Sequence, residues 1–512
     1  MAVDKTTFEA IVPSRFISLS FPTPNPNPNH SSPLLRIAVL DSPTLTLDPP
    51  LVAAMFVPQH RESDWIFSTE SGHLHLLHSS PGISRLILLG NSPEKDHPSS
   101  TIYSKNNNNS MSMSMEVSFK PLLLALSPKS CFKHGNPHIP ILSYEDGVIC
   151  GMVLERFVGS IVGEMLVEDV EIEVENGAGN REFRRRLRFK RMPNLIQSEV
   201  RIFPKEGIDF NSIEIGEVEF SPDNNVLLQP YLSPMVASLS LIGKHIQDRI
   251  FSGFRPKALC LGVGGGALLS FLKTQLGFEV LGVEEDEQFL EKISHPSGEC
   301  NASSIDAEFD VIMVDLDSSD ARSGVYAPPL EFGEKHVLMA AKSILSKNGI
   351  LALNVIPQSN AFYETTKHEF QQVFSELYEI DVRNGENFVL IATTSPVIIK
   401  AHLSRRIMGE APVDGNLFGL LRLHTLPDRR PYQVLSQGWV EEALSLYSLH
   451  RNAMQRNLSK LTNSQVLGWD CTCRPLEELQ LKGFEADVLT LIRAYITTGN
   501  TDTSLQFTRR KC

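Results

Sequence analysis

The chain has 512 residues, 42% of them hydrophobic and 21% charged, which leaves room for two or three domains with sizeable cores. Its formal net charge of −13 argues against a general nucleic-acid binder, which needs a basic field to meet phosphates. Seven cysteines, scattered apart from Cys471 and Cys473, indicate a reducing compartment, and their spacing offers no metal framework.

The N-terminus carries Asp4 and Glu9 and lacks the basic-then-apolar order of a secretion signal. The best membrane-spanning candidate, Val226–Ile242, is broken by Gln229, two prolines and serines. A cytoplasmic protein with no membrane partner is expected. Residues 1–35 include the Pro/Asn run 21–29, which cannot pack or pair and is expected as a flexible lead-in. Short apolar runs at 51–57, 65–69 and 86–89, with a helix over Gly72–Ser79, make residues 36–215 an α+β region interrupted by the low-complexity loop Asn106–Met115. His73, His75 and His78 lie at mixed spacings on that helix without a carboxylate or cysteine framework, so a structural role is expected rather than a metal site.

Residues 164–191 alternate as a hairpin. Asp169, Glu171 and Glu173 share one face of the first arm, and Arg184, Arg186 and Arg188 one face of the second. Pairing Glu173 with Arg184, Glu171 with Arg186 and Val174 with Phe183 matches the charges, which gives the basic run a structural reading. Leu195–Ile202 is a further strand, and a domain boundary is expected between Pro204 and Pro222.

A nucleotide-binding half-sheet follows. Ala258–Leu261 runs into Gly262, Gly264, Gly265 and Gly266, then an apolar helix pattern from Ala267, then Val280–Val283 ending in Glu284. Glycines there let backbone N–H groups approach a ligand, and the acid can accept hydrogen bonds from a ribose. Phe309–Asp315 reads as a buried parallel strand ending in an acid, followed by a polar loop with Asp317, Asp320 and Tyr326. A helix over Phe332–Leu345 with Gly349 as its cap, a strand at Ile350–Val355 and a helix at Ala361–Phe374 come next. The runs Leu377–Val382 and Asn387–Thr393 flank Asn384-Gly385, a strong hairpin signal.

Gly262-x-Gly264-x-x-Ala267 with Glu284 also satisfies a dinucleotide fingerprint, so an NAD-linked oxidoreductase is one reading. Dehydrogenase sheets continue with parallel strands, whereas class I methyltransferase sheets end on an inserted antiparallel strand, which 377–393 reproduces. S-adenosyl-L-methionine is therefore the favoured cofactor. Residues 255–395, with FDVIMVDLDSSD, Gly324 and Pro328-Pro329, resemble the spermidine-synthase-like class I methyltransferase family. More closely, residues 51–395 resemble the C-terminal half of the elongation factor 1A lysine and N-terminal methyltransferases, through 56–62, 65–72, Arg85-Leu-Ile, Phe183-Arg-Arg-Arg-Leu, Gln197-Ser-Glu-Val-Arg and Leu261-Gly-Val-Gly-Gly-Gly.

The resemblance implies a Rossmann-like domain over 216–398, methyl transfer to a protein amine and elongation factor 1A as partner. An amine must lose a proton before attack, so a carboxylate near the donor is expected, with Asp315, Asp317 and Asp320 as candidates. Gly262, Gly264, Gly265, Gly266, Glu284 and Asp315 are the expected cofactor residues, and Gln197 reaches the donor's methionine end by resemblance only. Aminopropyl transfer is disfavoured because Gly265 stands where those enzymes carry an acid.

The family pattern breaks between Glu284 and Phe309, where the stretch is too short for the usual helix, third strand and helix. The third strand is expected to be missing, and a catalytically silent binding protein on the same scaffold is the competing reading. Residues 399–512 lie outside the resemblance and show helical periodicity at 440–447 and 484–495.

Overall fold

The computed structural model describes residues 5–22, 34–44, 48–92, 102–104, 118–173, 181–205, 215–284, 308–318, 326–397, most of 433–444, and 472–475. Three sheets organise them.

Strands β1 (Phe16–Pro22), β2 (Leu34–Asp41), β3 (Val52–Phe56), β4 (Arg85–Asn91) and, after β5 (Ile102–Ser104) has left for the second sheet, β6 (Ile141–Leu142) form the first, in the order β1-β2-β4-β3-β6. Alternation along β2 and β4 feeds both faces. Ala38, Leu40, Leu86 and Leu88 pack on Ile66 and Phe67 of α1 (Trp65–Ser68) and Leu76 and Leu77 of α2 (Glu70–His78). Ile37, Val39, Ile87 and Leu89 pack on Phe8, Leu123 and Leu126, two of which come from α3 (118–125) and its C-terminal flank. Arg85 is fully buried yet satisfied: it donates to Asp41 Oδ1 at 2.6 Å and to the carbonyls of Phe8, Ala10 and Leu126. That one side chain ties the N-terminal segment and the flank of α3 to the sheet, with its charge met by Asp41 as burial requires.

The second sheet is antiparallel, in the order β11-β10-β9-β8-β7-β5, with β7 (Val148–Gly159), β8 (Gly163–Ile172), β9 (Glu182–Phe189), β10 (Met192–Pro204) and β11 (Phe220–Pro222). The β8–β9 hairpin exists in a different register from the one its charges predict. Glu168 faces Arg186, Asp169 faces Arg185 and Glu171 faces Phe183. β9 is an interior strand, so its arginines are shared between two neighbours. Arg185 pairs with Asp169 of β8 at 2.7 Å, while Arg184 and Arg186 both reach Glu199 of β10. Arg188 bridges Glu168 and Asp64, which caps α1, and so joins this sheet to the first. His73 is buried, with Nε2 2.6 Å from the Phe67 carbonyl; burial pushes its pKa down to about 4. Among the described residues no cluster of three or more His, Cys, Asp or Glu is placed to hold a metal.

The third sheet runs β18-β16-β17-β15-β14-β12-β13-β19, from β12 (Lys257–Leu261), β13 (Glu279–Glu284), β14 (Phe309–Val314), β15 (Leu345–Val355), β16 (Glu376–Asp381), β17 (Phe388–Thr393), β18 (Gln433–Leu435) and β19 (Thr472–Pro475). β13, β12, β14 and β15 are parallel, and β17 inserts antiparallel between β15 and β16. This is the class I methyltransferase order, and the antiparallel insertion departs from a dehydrogenase sheet. Buried on both faces, β14 reads as an unbroken apolar run apart from Asp310.

One face packs on α4 (Leu232–Ala237), α5 (Gly243–Phe251) and α6 (Ala267–Leu276). The other packs on α7 (Lys335–Ile344) and α8 (Asn360–Val373). The apolar stretch from 226 is thus α4 and a 3₁₀ turn in this core, and among the described residues no helix is long and apolar enough to cross a membrane. Gly349 is not the cap of α7. The helix stops at Ile344, the chain turns extended at Leu345, and Gly349 lies within β15 where a Cβ would press on the Phe309 and Asp310 carbonyls.

Residues 285–307, where the third strand was expected to be missing, lie outside the described residues. The place beside β13 is taken by β19, and the opposite edge by β18; both come from the stretch read as a helical extension.

Candidate functional site at the glycine loop

The site lies at the carboxyl ends of β12, β13 and β14, where ligands bind in open α/β sheets. Gly262 leaves β12 at φ +81°, and a Cβ on it would lie 2.1 Å from the Asp315 carbonyl oxygen. Only glycine lets the loop and the end of β14 approach so closely. The contact is stitched by Gly262 N–H donating to the Val283 carbonyl and Asp315 N–H donating to that of Leu261, at 3.0 and 2.9 Å. A Cβ on Gly265 would lie 2.5 Å from Ser198 Oγ, so β10 of the second sheet seals the loop's outer side. Gly264 passes the same strand next to Gln197, and Gly266 caps the N-terminus of α6.

Glu284 is buried at the end of β13 and accepts from Val263 N–H at 3.0 Å, which fixes its carboxylate against the loop. Gln197 Nε2 is buried without a hydrogen-bond partner among the described residues, and the Gln197 carbonyl accepts from Gln229 at 3.0 Å. An orphaned buried donor calls for an explanation, and an ordered water or a ligand is one.

Asp315 is held from two sides. Tyr231, at the N-cap of α4, donates to its Oδ2 at 3.1 Å, and Asn354 of β15 donates to its Oδ1 at 3.0 Å. Asn354 accepts from Asn387 at 2.8 Å, which accepts from Asn384 at 2.7 Å, so an amide relay runs from the β16–β17 turn to the carboxylate. Burial pushes the Asp315 carboxyl up to about 6, against the pull of the Asn354 and Tyr231 hydrogen bonds, with Asp317 and Glu284 adding to the rise. Burial and the neighbouring carboxylate likewise raise the Tyr231 phenol well above its ordinary value. Asp317 is turned to Arg191 of the β9–β10 turn at 3.0 Å, and its other oxygen is buried without a hydrogen-bond partner. Asp320 lies outside the described residues.

The structure thus gathers Gly262, Gly264, Gly265, Gly266, Gln197, Glu284 and Asp315 around one loop and places Asp317 at its margin. Sequence reasoning missed Tyr231, Asn354 and Arg191. The lone polar Asn354 in the apolar run 350–355 was the one available signal.

No protein-family model matches the chain. Among characterised proteins it is 26% identical over 388 residues to the eEF1A lysine and N-terminal methyltransferase of Danio rerio, covering 68% of this chain and 52% of that protein. The Xenopus laevis protein of the same name is 26% identical over 389 residues (69% and 52%), and that of Homo sapiens 24% over 404 (71% and 54%). The chain spans about half the length of these relatives. Solved structures that align include human methyltransferase-like protein 13 in complex with SAH, at 20% identity and TM-score 0.30, covering 48% of this chain and 97% of that one. A probable spermidine synthase from Corynebacterium glutamicum aligns at 14% identity and TM-score 0.32, covering 47% and 80%. By sequence the chain is similar to the eEF1A lysine and N-terminal methyltransferases, and by strand order it carries the class I methyltransferase sheet.

Proposed function

We propose that this protein is an S-adenosylmethionine-dependent methyltransferase that modifies a protein amine, with the N-terminus of eEF1A as its substrate. The observation that carries the reading is Asp315, a carboxylate poised at about 6 at the carboxyl end of β14, beside the glycine loop and Glu284. The residues present fit the donor. Glu284 offers a carboxylate to the ribose hydroxyls, the loop offers close backbone approach, and the orphaned Gln197 amide offers a hydrogen bond to the donor's carboxylate end. When bound, the donor supplies an electrophilic methyl group on a sulfonium.

Asp315 accepts the proton that the ammonium must lose, and Tyr231 and Asn354 hold it in place for that. An α-amino group (about 8) gives up its proton more easily than a lysine (about 10.4), by about 3 kcal/mol whatever the base, so this step is easier on an N-terminus. Positioning of the two reactants supplies much of the remaining rate.

The competing reading is a silent scaffold, favoured by the short connection between Glu284 and Phe309. Mass spectrometry of eEF1A incubated with the intact chain and S-adenosylmethionine decides between them. Methyl groups on the N-terminal peptide support the enzyme; unmodified eEF1A, with or without bound donor, supports the scaffold.

A further inference from the structure

We propose that β19 of the C-terminal extension takes the third-strand position beside β13, so that its carboxyl end forms the outer wall of the adenosyl site beside Glu284. This rests on the donor reading above for the ligand, and on the sheet alone for the strand.

The argument begins with β13. Val280 and Val283 are buried and Leu281 packs partly against the core, yet without a neighbour β13 would be the open edge of a parallel sheet with a row of unpaired N–H and C=O groups. The connection from Glu284 to Phe309 is too short to return a helix, a strand and a second helix. β19 takes that edge in parallel, with Leu281 opposite Thr472, Gly282 opposite Cys473, Val283 opposite Arg474 and Glu284 opposite Pro475. Direction matters as much as pairing. Being parallel, β19 ends on the same side as the glycine loop, and its last residue stands in register with the carboxylate assigned to the ribose. An antiparallel strand would close the edge but bring its N-terminus there.

The same extension is anchored at the far edge, where β18 pairs in parallel with β16 and Leu435, Val440 and Ala443 are buried in the core with Tyr378 and Ile380. The described segments Gln433–Leu435 and Thr472–Pro475 therefore belong to the sheet, one at each edge.

Three measurements on the intact chain test this. Hydrogen exchange reads the amides of 472–474, of which those facing β13 are protected if the strand is paired. Gly282→Cys in a Cys260→Ala background places a thiol opposite native Cys473; removing Cys260 is necessary because it is the register partner of Gly282 on the other side. Diamide, which takes up the two electrons and two protons of the thiol pair, then links residue 282 to Cys473, identified by peptide mapping. Cys473→Pro and Arg474→Pro, made singly because only one of two adjacent amides faces β13, test the wall. One of the two lowers affinity for S-adenosylhomocysteine about tenfold.

No protected amide among 472–474, or no 282–473 link, overturns the strand. A link with unchanged affinity in both proline variants overturns the wall. Should the unmodified chain bind no adenosyl ligand, the donor reading and the wall fall together, while exchange and the disulfide still decide the strand.

Discussion

Tyr231 donates to Asp315 Oδ2 at 3.1 Å across the gap between α4 and the end of β14. The bond stabilises the ionised carboxylate, opposing the burial that raises it. Tyr231→Phe should therefore move the acid limb of the pH–rate profile toward higher pH, with a loss of about 1 kcal/mol in stability. A profile that does not move would show that the phenol only packs.

Asp315→Asn should lower methyl transfer by about 10²–10⁴-fold while S-adenosylhomocysteine binding is retained, as measured by single-turnover kinetics and calorimetry. In the parent, the rate should fall as pH drops through about 6, where Asp315 takes up its proton.

Asp315 also makes a stability prediction of defined sign. Its folded pKa is raised, so the folded state holds the proton more tightly than the unfolded one. The stability this contributes is complete below about pH 4 and lost as pH rises through about 6. Asp315→Asn should then be more stable than the parent at pH 8, by up to about 3 kcal/mol, and no more stable at pH 4. Thermal unfolding at the two pH values measures both.

Gly265→Ala puts a Cβ 2.5 Å from Ser198 Oγ. It should cost about 1–3 kcal/mol and weaken donor binding, and Ser198→Gly should restore most of both. A double variant as impaired as the single one would mean that the loop itself, not the approach of β10, sets the demand.

Much of this site was legible because its signals are local. Lys257 to Glu284 is a contiguous strand, loop, helix and strand, and Asn384-Gly385 announces the β16–β17 hairpin, with Gly385 at φ +83° and Asn384 Oδ1 accepting from two backbone amides of its own turn. What was not legible depends on distant partners. The β8–β9 register is set partly by Glu199 on the next strand, which a two-strand reading cannot weigh. β19 is four residues long and joins a strand almost two hundred positions earlier, with no periodicity to mark it. Tyr231 sits in an apolar stretch whose pattern reads as helix, and nothing there points to Asp315.

The most direct test of the account is calorimetry of the intact chain with S-adenosylmethionine. The account predicts a saturable one-site heat that Gly262→Ala abolishes, since that Cβ would meet the Asp315 carbonyl at 2.1 Å. Absence of heat at millimolar donor, or binding indifferent to Gly262→Ala, would contradict it.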